Sequence, residues 1–238
     1  MKIIQCEQGS VEWLEKRAGI PTASEFGSLV TPTGEIRKGE MPKTYLAQKL
    51  AEKWGGPLPG FNSFATEQGQ ILEAEARNNL AFVMGRPIQK VGFITTDDGS
   101  AGCSPDGMIS GIGPRPDAGL ELKCPEATQA VKYLLAGVVP QDYTAQVQGS
   151  LYVTGLQKWY FVSYRRHYPD LIVQVEPDEE FQANLAEALE AFNEHLALAW
   201  ERLVELNQGP PPRRIPMTFS DEIRRGAEYA DLGEGVTP

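Results

Sequence analysis

The chain of 238 residues is poor in the residues that build small stapled or metal-bound domains, with three cysteines and two histidines. Cys6, Cys103 and Cys124 are an odd number without C-x-x-C spacing, so neither a disulfide framework nor a zinc site is expected. Met1 to Ser10 lacks the apolar run of a signal peptide, and no stretch approaches the length of a membrane span. A reducing, cytoplasmic setting with no membrane partner is the expectation. No Walker A pattern and no Gly-x-Ser-x-Gly elbow occur, and the Gly-x-Gly at Gly111 is followed by proline between two strands, which excludes a dinucleotide fingerprint. There is no internal repeat.

An excess of basic residues is also missing. The net charge is -10, whereas a nucleic-acid partner normally leaves a basic footprint. The distribution matters more than the sum: residues 176 to 205 hold nine acidic side chains and one basic one, a net of -8, leaving -2 for the rest. A local basic groove elsewhere is therefore allowed. Hydrophobic content of 41% and charged content of 23% are ordinary for a globular protein, and the length suits one α/β domain over 1–207 followed by a Pro-rich segment and polar tail over 208–238.

Ser10 caps a short expected helix carrying Trp13, Leu14 and Arg17, and Thr22 with Glu25 has capping-box spacing for a second. Arg17 and Ser24 then sit near a helix terminus, where an anion could bind, although the residues alone favour a plain helix-end role. Helices are expected at Pro42 to Trp54 and at Ser63 to Met84, the latter carrying Glu67, Glu73 and Glu75, none of which periodicity singles out. Strands are expected at Pro87 to Thr96, Gly102 to Ile109 and Leu120 to Cys124, with a loop from Gly111 to Gly119. Helices follow at Pro125 to Gly137 and Gln141 to Thr154, then strands at Lys158 to Tyr164 and Asp170 to Val175 around the basic turn Arg165-Arg166-His167. From Asp178, apolar residues at steps of three and four form a stripe that must pack on the body or on a neighbouring subunit.

The chemistry concentrates between Cys103 and Lys123. Pro105-Asp106-Gly107 alone is a turn signal. Its conjunction with Glu121-Leu122-Lys123 on the next strand makes a PD-(D/E)-x-K pattern. Residues two apart on a strand face the same side, so Glu121 and Lys123 point together while Leu122 turns into the core. Asp106 and Glu121 could share a divalent cation, most simply Mg²⁺, and Lys123 could position water and offset developing charge.

Over roughly residues 5 to 205 the chain resembles the lambda-exonuclease and YqaJ-type viral recombinase family. The segments are Trp13 with Arg17 and Thr22 to Glu25; Gly69 to Glu73; Cys103 to Gly107; Gly119 to Pro125; Ala145 to Gln148; and Trp159 to Phe161. The resemblance implies a restriction-endonuclease-like α/β core, a mixed central sheet flanked by helices. It implies a Mg²⁺-dependent, processive 5′-to-3′ exonuclease on linear duplex DNA, with Mn²⁺ as a substitute and one or two ions per subunit. A homotrimeric ring and a single-strand annealing protein as partner belong to the same implication. Residue by residue, Asp106, Glu121, the Leu122 carbonyl and Glu73 become metal ligands, Lys123 the catalytic lysine, and Gln146 an active-site glutamine. Arg17, Ser24 and Ser104 become the 5′-phosphate pocket. The loop after Asp106 is longer than in the lambda enzyme, a further phosphate-binding arginine has Arg37 as its nearest counterpart, and the strand-separating wedge falls near Thr66. A structure- or sequence-specific endonuclease, or a DNA-end-binding module without catalysis, are the alternatives.

Overall fold

The computed structural model describes residues 1–58, 67–111, 113 and 115–211. The expected helix start at Ser63, the wedge position Thr66 and the tail from 212 lie outside them.

Helix α1 (Val11–Arg17) begins where expected, with Trp13 N–H donating to the Ser10 hydroxyl at 3.2 Å. The segment after Thr22 is one 3-10 helix, Ala23–Ser28, and the expected capping box does not form. The Thr22 hydroxyl donates instead to Glu25 Oε2 at 3.2 Å, while its N–H donates to the Tyr45 hydroxyl at 2.9 Å. Helices α2 (Glu40–Gly55) and α3 (Glu67–Met84) follow.

The two expected strands that come next are each broken. Pro87 to Thr96 yields β2 (Ile88–Gln89) and β3 (Phe93–Thr95), and Gly102 to Ile109 yields β4 (Gly102–Cys103) and β5 (Gly107–Ser110). β3 and β4 join β1 (Lys2–Ile4) in a three-stranded sheet of order β1-β3-β4, whereas β2 and β5 enter a different, five-stranded sheet. The chain changes sheets at Lys90–Gly92 and again at Ser104–Asp106. Pro105 has no N–H to continue a ladder. Gly92 admits the N-terminal segment, because a Cβ there would lie 2.3 Å from the Cys6 carbonyl oxygen.

Strand β6 is Pro116–Lys123, so the last four residues of the expected loop are already strand, reached through a register shift at Ile109/Ser110. Helices α4 (Ala127–Ala136) and α5 (Gln141–Thr154) carry the chain over to β7 (Trp159–Ser163), parallel to β6, and β8 (Leu171–Val175) returns antiparallel. The larger sheet is mixed, with order β2-β5-β6-β7-β8. On one face Ala76 and Leu80 of α3 cover Leu120, Leu122 and Val162. On the other, Val147 and Leu151 of α5 cover Trp159, Phe161 and Leu171. This alternation turns Leu122 into the core and Glu121 with Lys123 to the α5 side.

Helix α6 (Glu179–Leu206) is capped by Asp178, which accepts from Phe181 N–H at 2.9 Å. Its stripe packs on the body: Phe181, Leu185, Leu189, Phe192 and Leu196 bury against Phe26, Leu29, Val30, Tyr45 and Met108. Each such side chain contributes about 1.5–3 kcal/mol on burial. Among the described residues, no helix is long and apolar enough to cross a membrane.

Candidate active site

The sheet change at Ser104–Asp106 organises the site. Asp106 lies just before the start of β5, and its side chain does what the next ladder bond would have done: Oδ2 accepts from Leu122 N–H at 2.6 Å. Asp106 N–H donates to the Leu120 carbonyl at 3.0 Å, and its carbonyl accepts from Arg77 Nε at 2.8 Å. Odd-numbered residues of β6 bond towards β7, as Tyr164 N–H to the Lys123 carbonyl shows. Even-numbered ones face the β5 side, so the Leu122 carbonyl lies on the strand edge that Asp106 occupies.

Glu121 is 2% exposed, and its Oε1 accepts from Gln146 Nε2 at 2.7 Å and meets Lys123 Nζ at 2.5 Å. Lys123 also stands over the Tyr143 ring, 4.9 Å from its centre, and Tyr143 in turn stacks on Phe161. Burial, then the Glu121 charge, pushes the Asp106 carboxyl well above the usual carboxylate range, and Lys123 only partly opposes this. Glu121 is also raised, by burial first. Burial disfavours the Lys123 charge, but Glu121 and Asp106 outweigh it and hold the ammonium above the ordinary lysine range. Two buried carboxylates thus face one ammonium, a deficit of positive charge that suits a hard cation with oxygen ligands.

The structure brings Asp106, Glu121, Lys123 and Gln146 together directly. Glu73, half-buried on α3, acts on them through its charge, which raises both Asp106 and Glu121. Among the described residues no group of three or more His, Cys, Asp or Glu side chains that could hold a metal ion is found.

A second cluster lies two residues upstream of Asp106. The Ser104 hydroxyl accepts from Arg17 Nη1 at 2.9 Å and from Trp13 Nε1 at 3.0 Å. Trp13 Nε1 also reaches the Gly92 carbonyl at 3.2 Å, which ties the two sheet-change points together. The guanidinium lies 4.1 Å over the Trp13 ring, with Nη2 3.4 Å from the Thr22 hydroxyl and 3.5 Å from that of Ser24. Burial lowers the Arg17 pKa, and Glu25, Tyr45 and Glu52 oppose the shift. Beneath it Lys49, 2% exposed, bridges Glu25 at 2.8 Å and Glu52 at 3.0 Å, and Glu52 also accepts from Gly19 N–H at 3.0 Å. Arg37 Nε donates to the carbonyls of Gly27 and Val30, bracing the 3-10 helix that carries Ser24.

Sequence reasoning missed Arg77, Tyr143 and the Lys49 bridge. Arg77 had one signal, its position four residues after Glu73, which places both on one face of α3. Lys49 had one local signal, its i,i+3 spacing to Glu52, whereas Glu25 and both partners of Tyr143, Lys123 and Phe161, are distant in sequence.

Comparison with solved structures gives an alkaline exonuclease (LHK-Exo) from Laribacter hongkongensis, at 25% identity and a TM-score of 0.71, covering 84% of this chain and 98% of that one. The same protein in complex with dAMP matches at 24% identity with the same coverage and TM-score. A phage-related exonuclease from Haemophilus somnus 129PT has a similar fold at 12% identity, with a TM-score of 0.57 over 77% of this chain and 96% of that one. Comparison with curated proteins gives no match. The restriction-endonuclease-like α/β fold implied by the resemblance is the fold present, a mixed five-stranded sheet between helices. The model of the YqaJ-like viral recombinase domain matches residues 12–157, which span both clusters from Trp13 to Gln146, and the chain belongs to that family.

Proposed function

We propose that this chain is a metal-dependent exonuclease that digests one strand of linear double-stranded DNA from its 5′ end and leaves a 3′ single-stranded tail. The observation that carries the reading is the buried Asp106–Glu121 pair with Lys123, set two residues from a serine that an arginine already contacts. Asp106, Glu121 and the Leu122 carbonyl, with Glu73 approaching from α3, would hold Mg²⁺, with Mn²⁺ as a substitute. When bound, the cation polarises the scissile phosphate and lowers the pKa of water beside it.

The protein's own groups supply the rest. Gln146 fixes the rotamer of Glu121 through its 2.7 Å bond. Lys123, held by Glu121 and by the Tyr143 ring, orients water and offsets charge developing on the phosphate. Arg17, Ser104 and Ser24 hold the 5′-terminal phosphate, so that the next phosphodiester falls over the carboxylates. Processive action as a ring-shaped homotrimer, in partnership with a single-strand annealing protein, extends the same reading and is supported by family membership.

Digestion of end-labelled linear duplex with Mg²⁺, compared across 5′-phosphate, 5′-hydroxyl and covalently closed circular substrates, tests it. Release of nucleotides from linear 5′-phosphorylated ends alone is the expected result. Cutting of closed circles would establish an endonuclease instead, and end binding without nucleotide release a non-catalytic module.

A further inference from the structure

Past the end of β6 the surface opens into a groove of about 570 Å³, within the size range of ligand-binding clefts. Ile71 and Leu72 of α3 form one wall and Ala127 at the start of α4 another. The floor is the run Arg165-Arg166-His167-Tyr168 between β7 and β8. Among the described residues no carboxylate lines it, in a chain whose net charge is -10.

The groove continues from the catalytic strand. Tyr164 N–H donates to the Lys123 carbonyl at 2.9 Å, and Arg165 Nη1 reaches the Pro125 carbonyl at 3.4 Å, so the basic run starts where β6 ends. Leu72 is the neighbour of Glu73 on α3. Each arginine is held by a carboxylate outside the lining: Arg165 by Glu126 at 3.2 Å, with Glu126 88% exposed, and Arg166 by both oxygens of Glu75. Exposed pairs of this kind contribute little in water, and a phosphate can replace the carboxylate in the same forked geometry. Tyr168 is 40% exposed beside them and offers a ring on which a base can stack.

We infer that this groove binds the phosphodiester backbone of the strand being digested, downstream of the scissile phosphate, through Arg165 and Arg166. The assignment rests on the nuclease reading above. A strand whose 5′ end is held by Arg17 and Ser104 and whose next phosphate lies over Asp106 and Glu121 would reach this turn by running on along the end of β6, where Tyr164 N–H meets the Lys123 carbonyl. The site would lengthen the grip on the substrate strand from its terminal phosphate to several nucleotides, which favours staying bound between cuts.

The test measures binding of 5′-phosphorylated single strands with non-cleavable phosphorothioate linkages, in Ca²⁺, by fluorescence anisotropy across a salt series. A trinucleotide and a strand of roughly a dozen nucleotides are compared, since single-stranded contacts scale with strand length. For Arg165→Ala combined with Arg166→Ala, the longer strand loses its affinity advantage over the trinucleotide. The slope of log affinity against log salt falls in magnitude by about 1.4, or about 0.7 for each lost phosphate contact. Arg165→Ala alone, whose partner Glu126 is on the open surface, lowers it by about 0.7, and the double lysine variant restores it. A wild-type slope in the double alanine variant would overturn the assignment. So would a slope change seen with duplex but not with single strands, which would give the groove to the complementary strand. If the wild type binds none of these strands and releases no nucleotides from 5′-phosphorylated linear duplex in Mg²⁺, the nuclease reading itself fails. If it digests that duplex while the variant keeps the full slope, only the groove assignment falls.

Discussion

Arg77 Nε donates to the main-chain carbonyl of Asp106 at 2.8 Å, which fastens α3 to the point where the chain changes sheets. Arg77 is 8% exposed and sits one helical turn from Glu73, so a single side chain sets the distance between the helix-borne carboxylate and the strand-borne pair. Truncating it strands a carbonyl that the chain cannot easily hydrate. Arg77→Ala is expected to cost about 1–3 kcal/mol of stability. It should also raise the Mg²⁺ concentration needed for half-maximal activity, with Arg77→Lys intermediate. Melting curves and a metal titration of nuclease activity check this, and an unchanged metal requirement would leave Arg77 a purely structural residue.

Asp106→Asn and Lys123→Ala should each lower digestion of linear duplex by at least about 10²-fold, the scale of losing one preorganised charge at a reacting phosphate. Circular dichroism should show the fold retained. Because burial opposes the Asp106 charge, the asparagine variant should melt no lower than the wild type. Undiminished activity in either variant would remove these residues from the chemistry.

Arg17→Ala should slow digestion of 5′-phosphorylated ends more than of 5′-hydroxyl ends, since the pocket acts on the terminal phosphate. Equal slowing of the two would assign Arg17 to positioning Ser104 and Trp13 rather than to reading the end.

The raised pKa values of Asp106 and Glu121 fix the sign of a pH effect. A carboxyl whose folded pKa exceeds its unfolded one stabilises the fold below the ordinary carboxylate range. That contribution is lost as pH rises through the folded value. In the absence of divalent cations the melting temperature should therefore fall as pH climbs above about 4.5, the top of the ordinary carboxylate range. Added Mg²⁺ should restore it most at the alkaline end, where the pair is fully ionised. Thermal melts across pH with and without Mg²⁺ check both, and a Mg²⁺ effect that shrinks with rising pH would contradict the pair as the cation's site.

Lys49→Met tests the layer under the phosphate pocket. Removing the ammonium leaves Glu25 and Glu52 facing each other without it, at an expected cost of about 3–5 kcal/mol. A melting temperature within a degree or two of wild type would mean that the bridge is dispensable.

The reactive residues were legible because their spacing is local. Glu121 and Lys123 lie two apart on a strand, so period-two geometry groups them, while Asp106 was legible through its conjunction with them in the PD-(D/E)-x-K pattern and Ser104 only through the family resemblance. Helix α5 and the caps at Ser10 and Asp178 were legible for the same reason, each signal lying within a few residues of what it controls. The capping box at Thr22 failed because the Tyr45 hydroxyl, from a helix far along the chain, takes the Thr22 N–H that the Glu25 side chain would have met. The two strand pairs were read as continuous because alternation does not record which sheet a strand joins.

The sequence by itself determined most of the helices, the alternation of the strands and the PD-(D/E)-x-K spacing of Asp106, Glu121 and Lys123, features carried by periodicity and short motifs. Only the tertiary structure decided that Ser104–Asp106 is the point where one sheet ends and another begins. That break frees Asp106 from a ladder, points its carboxylate at the Leu122 amide, and lets Arg17 reach Ser104. Such a junction arises from packing between segments 79 and 91 residues apart, Trp13 against Gly92 and Ser104, and no local pattern encodes it.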